Sequence, residues 1–297
     1  MLRYTLLYVF TLGCGTLPAQ TASSPDSIAY HYAQTITREE LQEHLQILAA
    51  DDMEGRETGM PGQKKAAAYI AGYFAGLDLP AIIGDTSYYQ TYPIAESEWK
   101  EPYVEIEGKR FAFLKDFYSF FRLTQPMDTS FSEITFAGYG IASEKYDDYQ
   151  GLNVEHKAVM VLAGEPVSRD GQYYVTNTTN PSRFTQNLMA SLGTKRSIAG
   201  IESAALVMVV DDDFEQHLRR YAIAANSPSL ELQLEEKDNP SLIIISPEMA
   251  EALSGKRSLE KMQQRINKKG KPQTFTQNVA FGVNLQQNIH RLTSENV

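Results

Sequence analysis

The side chains that could bind a metal ion or move protons are few in this sequence. A hydrolytic metal site needs His, Asp, Glu or Cys side chains that converge on one ion. The five histidines are His31, His44, His156, His217 and His290. None has the His-Glu-x-x-His or His-x-Asp spacing of a ligand pair. We therefore predict no self-sufficient metal site, and we interpret His44 and His217 as surface or boundary residues.

Other motifs that could support catalysis or ligand binding are also weak. The acidic run Asp211-Asp-Asp213 offers the oxygen ligands that calcium prefers, but aspartates directly after a buried strand more often form a loop and begin a helix. Ser-x-x-Lys occurs at Ser97 and Ser258, which is expected by chance, and Gly-x-Ser-x-Gly is absent. Gly138-Tyr-Gly140 lacks the third glycine of a dinucleotide-binding loop. The sequence predicts neither a nucleophile nor a dinucleotide site.

The first twenty residues have the pattern of an export signal. A basic residue precedes the apolar run from Tyr4 to Leu12, which is too short to span a bilayer, and Ala19-Gln20 resembles a cleavage site. We expect residues 1–20 to be a signal peptide and the protein to be periplasmic or extracellular. Cys14 is the only cysteine, so the mature chain would form no disulfide. The alternative is a lipoprotein acylated at Cys14, although Thr11 stands where an aliphatic residue is usual.

Composition limits the class of protein. The 297 residues are 42% hydrophobic and 22% charged, which suits a globular chain with room for two domains. The net charge of −10 leaves no basic excess to neutralise phosphates, so we predict no nucleic-acid binding. No stretch after the signal predicts a transmembrane segment. The sequence does not specify an oligomeric state.

Periodicity predicts an α/β fold that begins with helices. The polar residues 21–35 suggest a linker. Thr37-Arg-Glu-Glu40 is a capping box, and Leu41, Leu45 and Leu48 then form one apolar stripe on the helix it starts. A second helix is predicted at 63–77 after a loop rich in glycine.

Strand patterns increase along the rest of the chain. Residues 104–114 alternate between polar and apolar and turn at Gly108, which predicts a hairpin. Further strands are predicted at 88–94, 133–139, 158–163, 204–210, 242–245 and 275–285. Helices are predicted at 185–192, 214–224, 247–253 and 256–271.

Several of these segments resemble a known family. The stretch from Ile36 through Asp51-Asp-Met-Glu-Gly-Arg56 to Ile70 resembles the opening of family 28 of the metallopeptidases, which are co-catalytic zinc aminopeptidases. Phe136-Ala-Gly-Tyr-Gly-Ile141 with Tyr146-Asp-Asp-Tyr149 is similar to the protease-associated (PA) domain inserted in such enzymes. Segments that continue this likeness are Ala158-Val-Met-Val-Leu162, Gly164-Glu-Pro166, Lys195-Arg196 and Ala204-Ala-Leu-Val-Met208.

The chain departs from the family pattern in ways that matter for catalysis. Asn153 stands where aspartate is frequent, and His156 stands where glycine is usual before Lys157. Ser294-Glu-Asn-Val297 resembles the point at which the family's chain returns to its peptidase domain. The family's His-x-Asp pair, bridging aspartate, Glu-Glu general base and final histidine all follow that point. The resemblance therefore assigns no catalytic, cofactor-binding or metal-ligating residue here.

The segment Glu54-Gly-Arg56 is the remaining candidate for a site. We predict a structural role, in which Arg56 pairs with nearby carboxylates or caps a carbonyl while Gly55 and Gly59 allow a turn between two helices. The alternative is a contact with substrate.

These inferences combine into one expected organisation. Residues 21–98 would form the helical part of a split peptidase domain, residues 99–272 a β-rich PA-like module, and residues 273–297 a strand returning to the peptidase core. The resemblance implies a peptide-hydrolysing protein with two zinc ions, of which this chain is a non-catalytic portion, inactive alone. The alternative is a natural PA-like binding module for protein or peptide partners.

Overall fold

The computed structural model describes residues 27–84, 86–121, 123, 126–232 and 239–297. These residues form a mixed α/β structure, which confirms the predicted fold class. The chain divides into two compact units, of which the first ends at Leu79 and the second spans Pro80–Val297. The predicted signal peptide and Cys14 lie outside the described residues. Across the described part of the chain, no helix is long and apolar enough to cross a membrane.

The first unit is helical. Its helices are α1 (Ser27–Ala33), α2 (Arg38–Leu48) and α3 (Pro61–Gly76), with a short 3-10 segment at Asp51–Arg56 between the last two. Helix α1 lies where a linker was predicted, so that prediction was wrong for residues 27–33. The capping box is confirmed, because the Thr37 hydroxyl accepts from the Glu40 backbone N–H while the Glu40 carboxylate accepts from the Thr37 N–H.

The bend between α2 and α3 is closed by the Glu54-Gly-Arg56 segment. Arg56 donates through Nη1 to the carbonyl of Leu48 at the end of α2, as predicted. Lys65 on α3 pairs with Glu54 at 2.6 Å, and Gly55 has a φ of +72° that favours glycine. The predicted carbonyl cap of Arg56 and the turn at Gly55 are therefore confirmed, and a contact with substrate stays the alternative.

The second unit contains eleven named strands and five helices among its described residues. The strands are β1 (Gln90–Trp99), β2 (Tyr103–Ile106), β3 (Lys109–Ala112), β4 (Phe117–Tyr118), β5 (Met127–Ala137), β6 (Ala158–Leu162), β7 (Leu206–Val210), β8 (Ser229–Leu232), β9 (Ser241–Ile245), β10 (Thr274–Leu285) and β11 (Gln287–Asn296). The helices are α4 (Arg183–Gln186), α5 (Leu188–Ile201), α6 (Phe214–Asn226), α7 (Pro247–Ser254) and α8 (Leu259–Lys269).

Eight of the strands form one sheet in the order β3-β2-β10-β5-β6-β7-β9-β4. Strands β5, β6, β7 and β9 are parallel neighbours, whereas the outer strands pair antiparallel. Every residue of β6, β7 and β9 is buried, as expected for parallel strands covered on both faces. The predicted hairpin at Gly108 is confirmed by the pairing of β2 with β3.

A second sheet has three strands in the order β11-β1-β8. Strand β1 pairs with β11 along its whole length, from Gln90 opposite Asn296 to Trp99 opposite Gln287. The C-terminal stretch is thus two strands, of which β10 lies in the large sheet. β1 belongs to the unit that begins at Pro80, although the sequence grouped residues 80–98 with the N-terminal part. The assignment of these ranges to a peptidase domain and a PA-like module stays a prediction.

Candidate functional site

Several polar side chains of the second unit lie at the carboxyl ends of the four parallel strands. In open α/β sheets, ligands bind at this edge because loops and helix starts converge there. The residues that follow these strand ends are Gly138, Ala163, Asp211 and Ser246. Three arrangements at this edge could carry a function: a buried ionic cluster, an Asp–His pair and a cavity.

The buried ionic cluster begins with Asp148, which anchors the loop after β5. Its Oδ2 accepts the backbone N–H groups of Tyr139 at 3.0 Å and Ile141 at 3.1 Å. Its Oδ1 accepts the Tyr146 hydroxyl at 2.9 Å. Gly138 has a φ of +49°, and a Cβ there would overlap Asp148 Oδ1. The glycine is therefore needed because the carboxylate occupies the space that a side chain would take.

Lys195 on α5 holds the same loop from the other side. Its Nζ donates to the carbonyl of Tyr139, in a close contact, and to the carbonyl of Gly164 at 2.8 Å. Glu165 is buried nearby, with Oε1 accepting the Ser182 N–H at 2.7 Å. Its Oε2 has no hydrogen-bond partner among the described residues. Charged groups from three chain segments thus converge within the interior.

Burial perturbs the ionisation of both charged partners. Burial raises the pKa of Asp148 to about 6, against the lowering effect of its hydrogen bonds and of Lys195. Burial lowers the pKa of Lys195 to about 7, although Asp148 and Glu165 favour its charged form. Asp148 and Lys195 are each only 1% exposed, so neither can touch a ligand. The cluster therefore positions the 138–148 loop and is not itself a binding surface.

The Asp211–His217 pair is a feature that the sequence analysis did not find. The buried Asp211 carboxylate contacts His217 Nδ1 at 2.7 Å and also accepts the Asp213 N–H at 3.1 Å. Asp211 directly follows β7 and His217 lies in the first turns of α6. An aspartate at a strand end with a histidine six residues later is the only sequence signal for this pair. A contact of this kind fixes the orientation of the imidazole ring.

The acidic run does not form a cation site. Asp211 faces His217, whereas Asp212 Oδ2 accepts from Gln263 Nε2 at 2.9 Å, so the two carboxylates have different partners. Asp213 precedes the first residue of α6, which confirms the predicted loop and helix start. Among the described residues, no three His, Cys, Asp or Glu side chains come close enough to hold a metal ion. No hydrolytic step is assigned to the described residues.

The remaining candidates from the sequence have structural roles. Ser258 caps α8, since its Oγ accepts the Lys261 N–H at 3.3 Å. Ser97 is buried and its hydroxyl meets that of Ser229 at 2.9 Å. His44 is half-buried, with Nδ1 at 2.7 Å from the Tyr69 hydroxyl, which confirms it as a boundary residue. These contacts account for each side chain without a ligand.

The cavity at this edge has a volume of about 550 Å³, which is in the range of small-molecule sites. It is bounded by the ends of β6 and β7, by α7 and by the start of α8. Its charged and amide-bearing lining residues are Asp212, Glu251, Lys256, Arg257, Glu260 and Gln263. This cavity offers charged groups from several elements to a molecule from solvent.

Comparisons with known proteins give one distant structural likeness. No protein-family model matches the chain, and no curated protein matches it. Among solved structures, the chain is similar to BSAP, a zinc aminopeptidase from Bacillus subtilis, with 13% sequence identity and a TM-score of 0.31. The match covers 85% of this chain and 45% of the aminopeptidase chain, so it spans less than half of that protein. A likeness at this level carries no argument about activity.

Proposed function

We propose that this chain is a non-catalytic portion of an exported, zinc-dependent aminopeptidase. The proposal takes its enzyme class from the sequence resemblance in residues 36–70 and 136–149. In the complete enzyme, zinc ions would be held by residues outside this sequence. The residues described here would bound the substrate cleft and support the catalytic core.

The observation that carries the proposal is the exposed apolar face of the first unit. Helix α2 has no buried residue, and its stripe residues Leu41 and Leu45 are 57% and 67% exposed. On α3, the buried side chains are alanines, while Leu77 at its C-cap is exposed. A helix with so clear a stripe ordinarily buries it against another element.

The free energy gained by burying the exposed leucines is large enough to favour a covering surface. Burial of one leucine side chain contributes roughly 1.5–3 kcal/mol. Leu41 and Leu45 together therefore favour docking by several kcal/mol on that scale. We expect the covering surface to be the apolar face of the peptidase core, which would make α2 and α3 part of a split domain.

A second candidate function is a peptide- or protein-binding module without a catalytic partner in the same chain. The cavity beside Asp212 and Lys256 favours it, because this cavity is complete within the described residues. This alternative needs a native protein that ends at Val297 and stays soluble with α2 exposed.

Two measurements test the proposal. The native protein, captured from the exporting cells, is expected to have a mass well above 33.3 kDa, and its gene is expected to encode a His-x-Asp pair downstream of Val297. The isolated 297-residue chain is expected to show no turnover of aminoacyl-nitroanilides and no stoichiometric zinc after dialysis. Zinc with turnover in this chain would overturn the non-catalytic assignment. A native protein ending at Val297 would favour the binding module.

The role of the apolar face is tested in the longer protein. L41D together with L45D is expected to lower the yield of folded enzyme and its thermal stability, because the docked face would carry buried charges. The control is E39K with Q42A, which changes the exposed polar side of the same helix. Equal effects of the two pairs would contradict docking through the leucine stripe.

A further inference from the structure

The cavity at the carboxyl edge has an apolar floor and a charged rim. Leu162 and Val210, the last residues of β6 and β7, line it together with Ala250 of α7 and Leu259 of α8. All four are buried. The rim has charges of both signs from separate elements: Asp212 after β7, Glu251 in α7, Lys256 and Arg257 in the α7–α8 loop, and Glu260 in α8.

The opposite charges of the rim do not neutralise one another. None of the ion pairs formed among the described residues joins two of these five side chains. The side chains of Lys256 and Glu251 make no ion pair or hydrogen bond with other described residues, although the Glu251 backbone carbonyl accepts from the Ser254 hydroxyl. Two sets of opposite charge thus face one space and remain available to a molecule that enters it.

Three of the charged groups already have a hydrogen-bond partner, and the first is Glu260, whose Oε1 accepts from Gln264 Nε2 at 3.0 Å. Asp212 Oδ2 accepts from Gln263 Nε2 at 2.9 Å. Arg257 donates to Gln277 Oε1, and its guanidinium lies 4.7 Å from the centre of the Phe275 ring. Ordering of side chains before binding reduces the entropy lost on association. Two acidic groups and one basic group are therefore held at the rim before a ligand binds.

We propose that this cavity binds a short peptide with a free α-ammonium and a free α-carboxylate. The carboxylate would meet Lys256 and Arg257, and the ammonium would meet Asp212 and Glu251. A simple anion would be repelled by three carboxylates, and a simple cation by Lys256 and Arg257, whereas a dipolar ligand satisfies both sets. The choice of a peptide as the dipolar ligand rests on the proposed peptidase function; the charge arrangement itself does not.

Peptides with one end blocked test the assignment of each charge. The full chain is titrated by NMR or calorimetry with trialanine, N-acetyl-trialanine and trialanine amide at neutral pH and low salt. Each block removes contacts with two charged groups and is expected to weaken binding about five- to twentyfold, as for the loss of two exposed ion pairs. The variant K256M removes one of these contacts, so it should weaken trialanine about two- to fivefold and leave trialanine amide unchanged. D212N should weaken trialanine and leave N-acetyl-trialanine unchanged.

The matched control is K268M, because Lys268 is an exposed lysine of α8 that does not line the cavity. It should bind all three peptides as the unchanged protein does. The inference is overturned by an absence of trialanine binding, or by binding that is indifferent to the blocks and to K256M. Binding with the expected pattern in a protein that natively ends at Val297 would keep this inference and reject the peptidase proposal.

Discussion

The two units of this chain differ in where they keep their apolar side chains. In the sheet unit, β6, β7 and β9 are buried at every residue, so the parallel strands form a core of their own. In the helical unit, the buried side chains are small, with Ala66, Ala67 and Ala71 packed near Met53, while the leucines of α2 are exposed. The sheet unit has one buried core, and the difference supports the proposal that the helical unit docks on another surface.

The units also differ in how they place charge. Glu54 and Lys65 form an ion pair that is about half exposed, and such pairs contribute little to stability. Asp148 and Lys195 are buried, where removal from water is costly and every hydrogen bond matters. The polar network of the sheet unit therefore specifies a loop, whereas that of the helical unit is a surface feature.

The largest expected contrast comes from one leucine in each unit. L206A removes a fully buried side chain from β7 and is expected to lower the free energy of unfolding by about 2–5 kcal/mol. L45A is expected to change it by less than about 1 kcal/mol, because the side chain is exposed. Urea unfolding is followed by circular dichroism, which reports the helices of both units, and by the fluorescence of Trp99, the only tryptophan, which reports the sheet unit. An equal loss in both variants would remove the distinction between the units.

A smaller contrast is expected at two glycines with positive φ. G138A should cost about 3 kcal/mol, from left-handed strain together with the overlap with Asp148. G55A should cost about 1 kcal/mol, because a Cβ there meets no atom within 4 Å and only the strain remains. Thermal unfolding of both variants under the same conditions measures the difference. A G138A variant as stable as G55A would show that the Asp148 anchor adjusts easily.

The smallest expected effect is a dependence of the free energy of unfolding on pH. Because the pKa of Lys195 is lowered to about 7, the folded state binds fewer protons than the unfolded state above that pH. The free energy of unfolding should therefore rise by about 2 kcal/mol between pH 7 and pH 9. The raised pKa of Asp148, about 6, acts in the opposite sense, so its contribution falls as the pH rises from about 4 to 6.

The pH dependence is tested by denaturation at several pH values and by variants in each unit. K195M should remove the rise above pH 7, whereas K65M, which changes the exposed pair of the helical unit, should keep it. A direct check is the NMR titration of the Lys195 side chain in the folded protein. A midpoint near 10.5, the ordinary lysine value, would contradict the proposed effect of burial.

Local features were predictable because they depend on neighbours in sequence. The Thr37–Glu40 capping box, the hairpin at Gly108 and the buried runs of β6, β7 and β9 all appear where their patterns indicated. Strand β8 was not predicted, because its four residues have no distinctive pattern. Helix α1 was missed because its seven residues are too few to show a helical apolar stripe, and its large side chains Ile28, Tyr30 and Tyr32 are exposed.

The candidate site shows more clearly what could not be predicted from the sequence. Asp212 was noticed as part of an acidic run, but Lys256 and Glu251 had no motif to mark them. They line one cavity because α7 and α8 come to lie beside the ends of β6 and β7. A cavity made by residues about forty positions apart leaves no periodic signal in the sequence.

The sequence by itself determined the fold class and most of the elements, through capping, periodicity and long apolar runs. Only the tertiary structure decided which elements became neighbours: β1 with β11, the loop at Gly138 with α5, and Asp211 with His217. The physical reason is that hydrogen bonds and burial depend on which groups are close in space, and not on which are close in sequence. Side chains such as Lys195 and Asp148 acquire their environment only when distant segments pack around them.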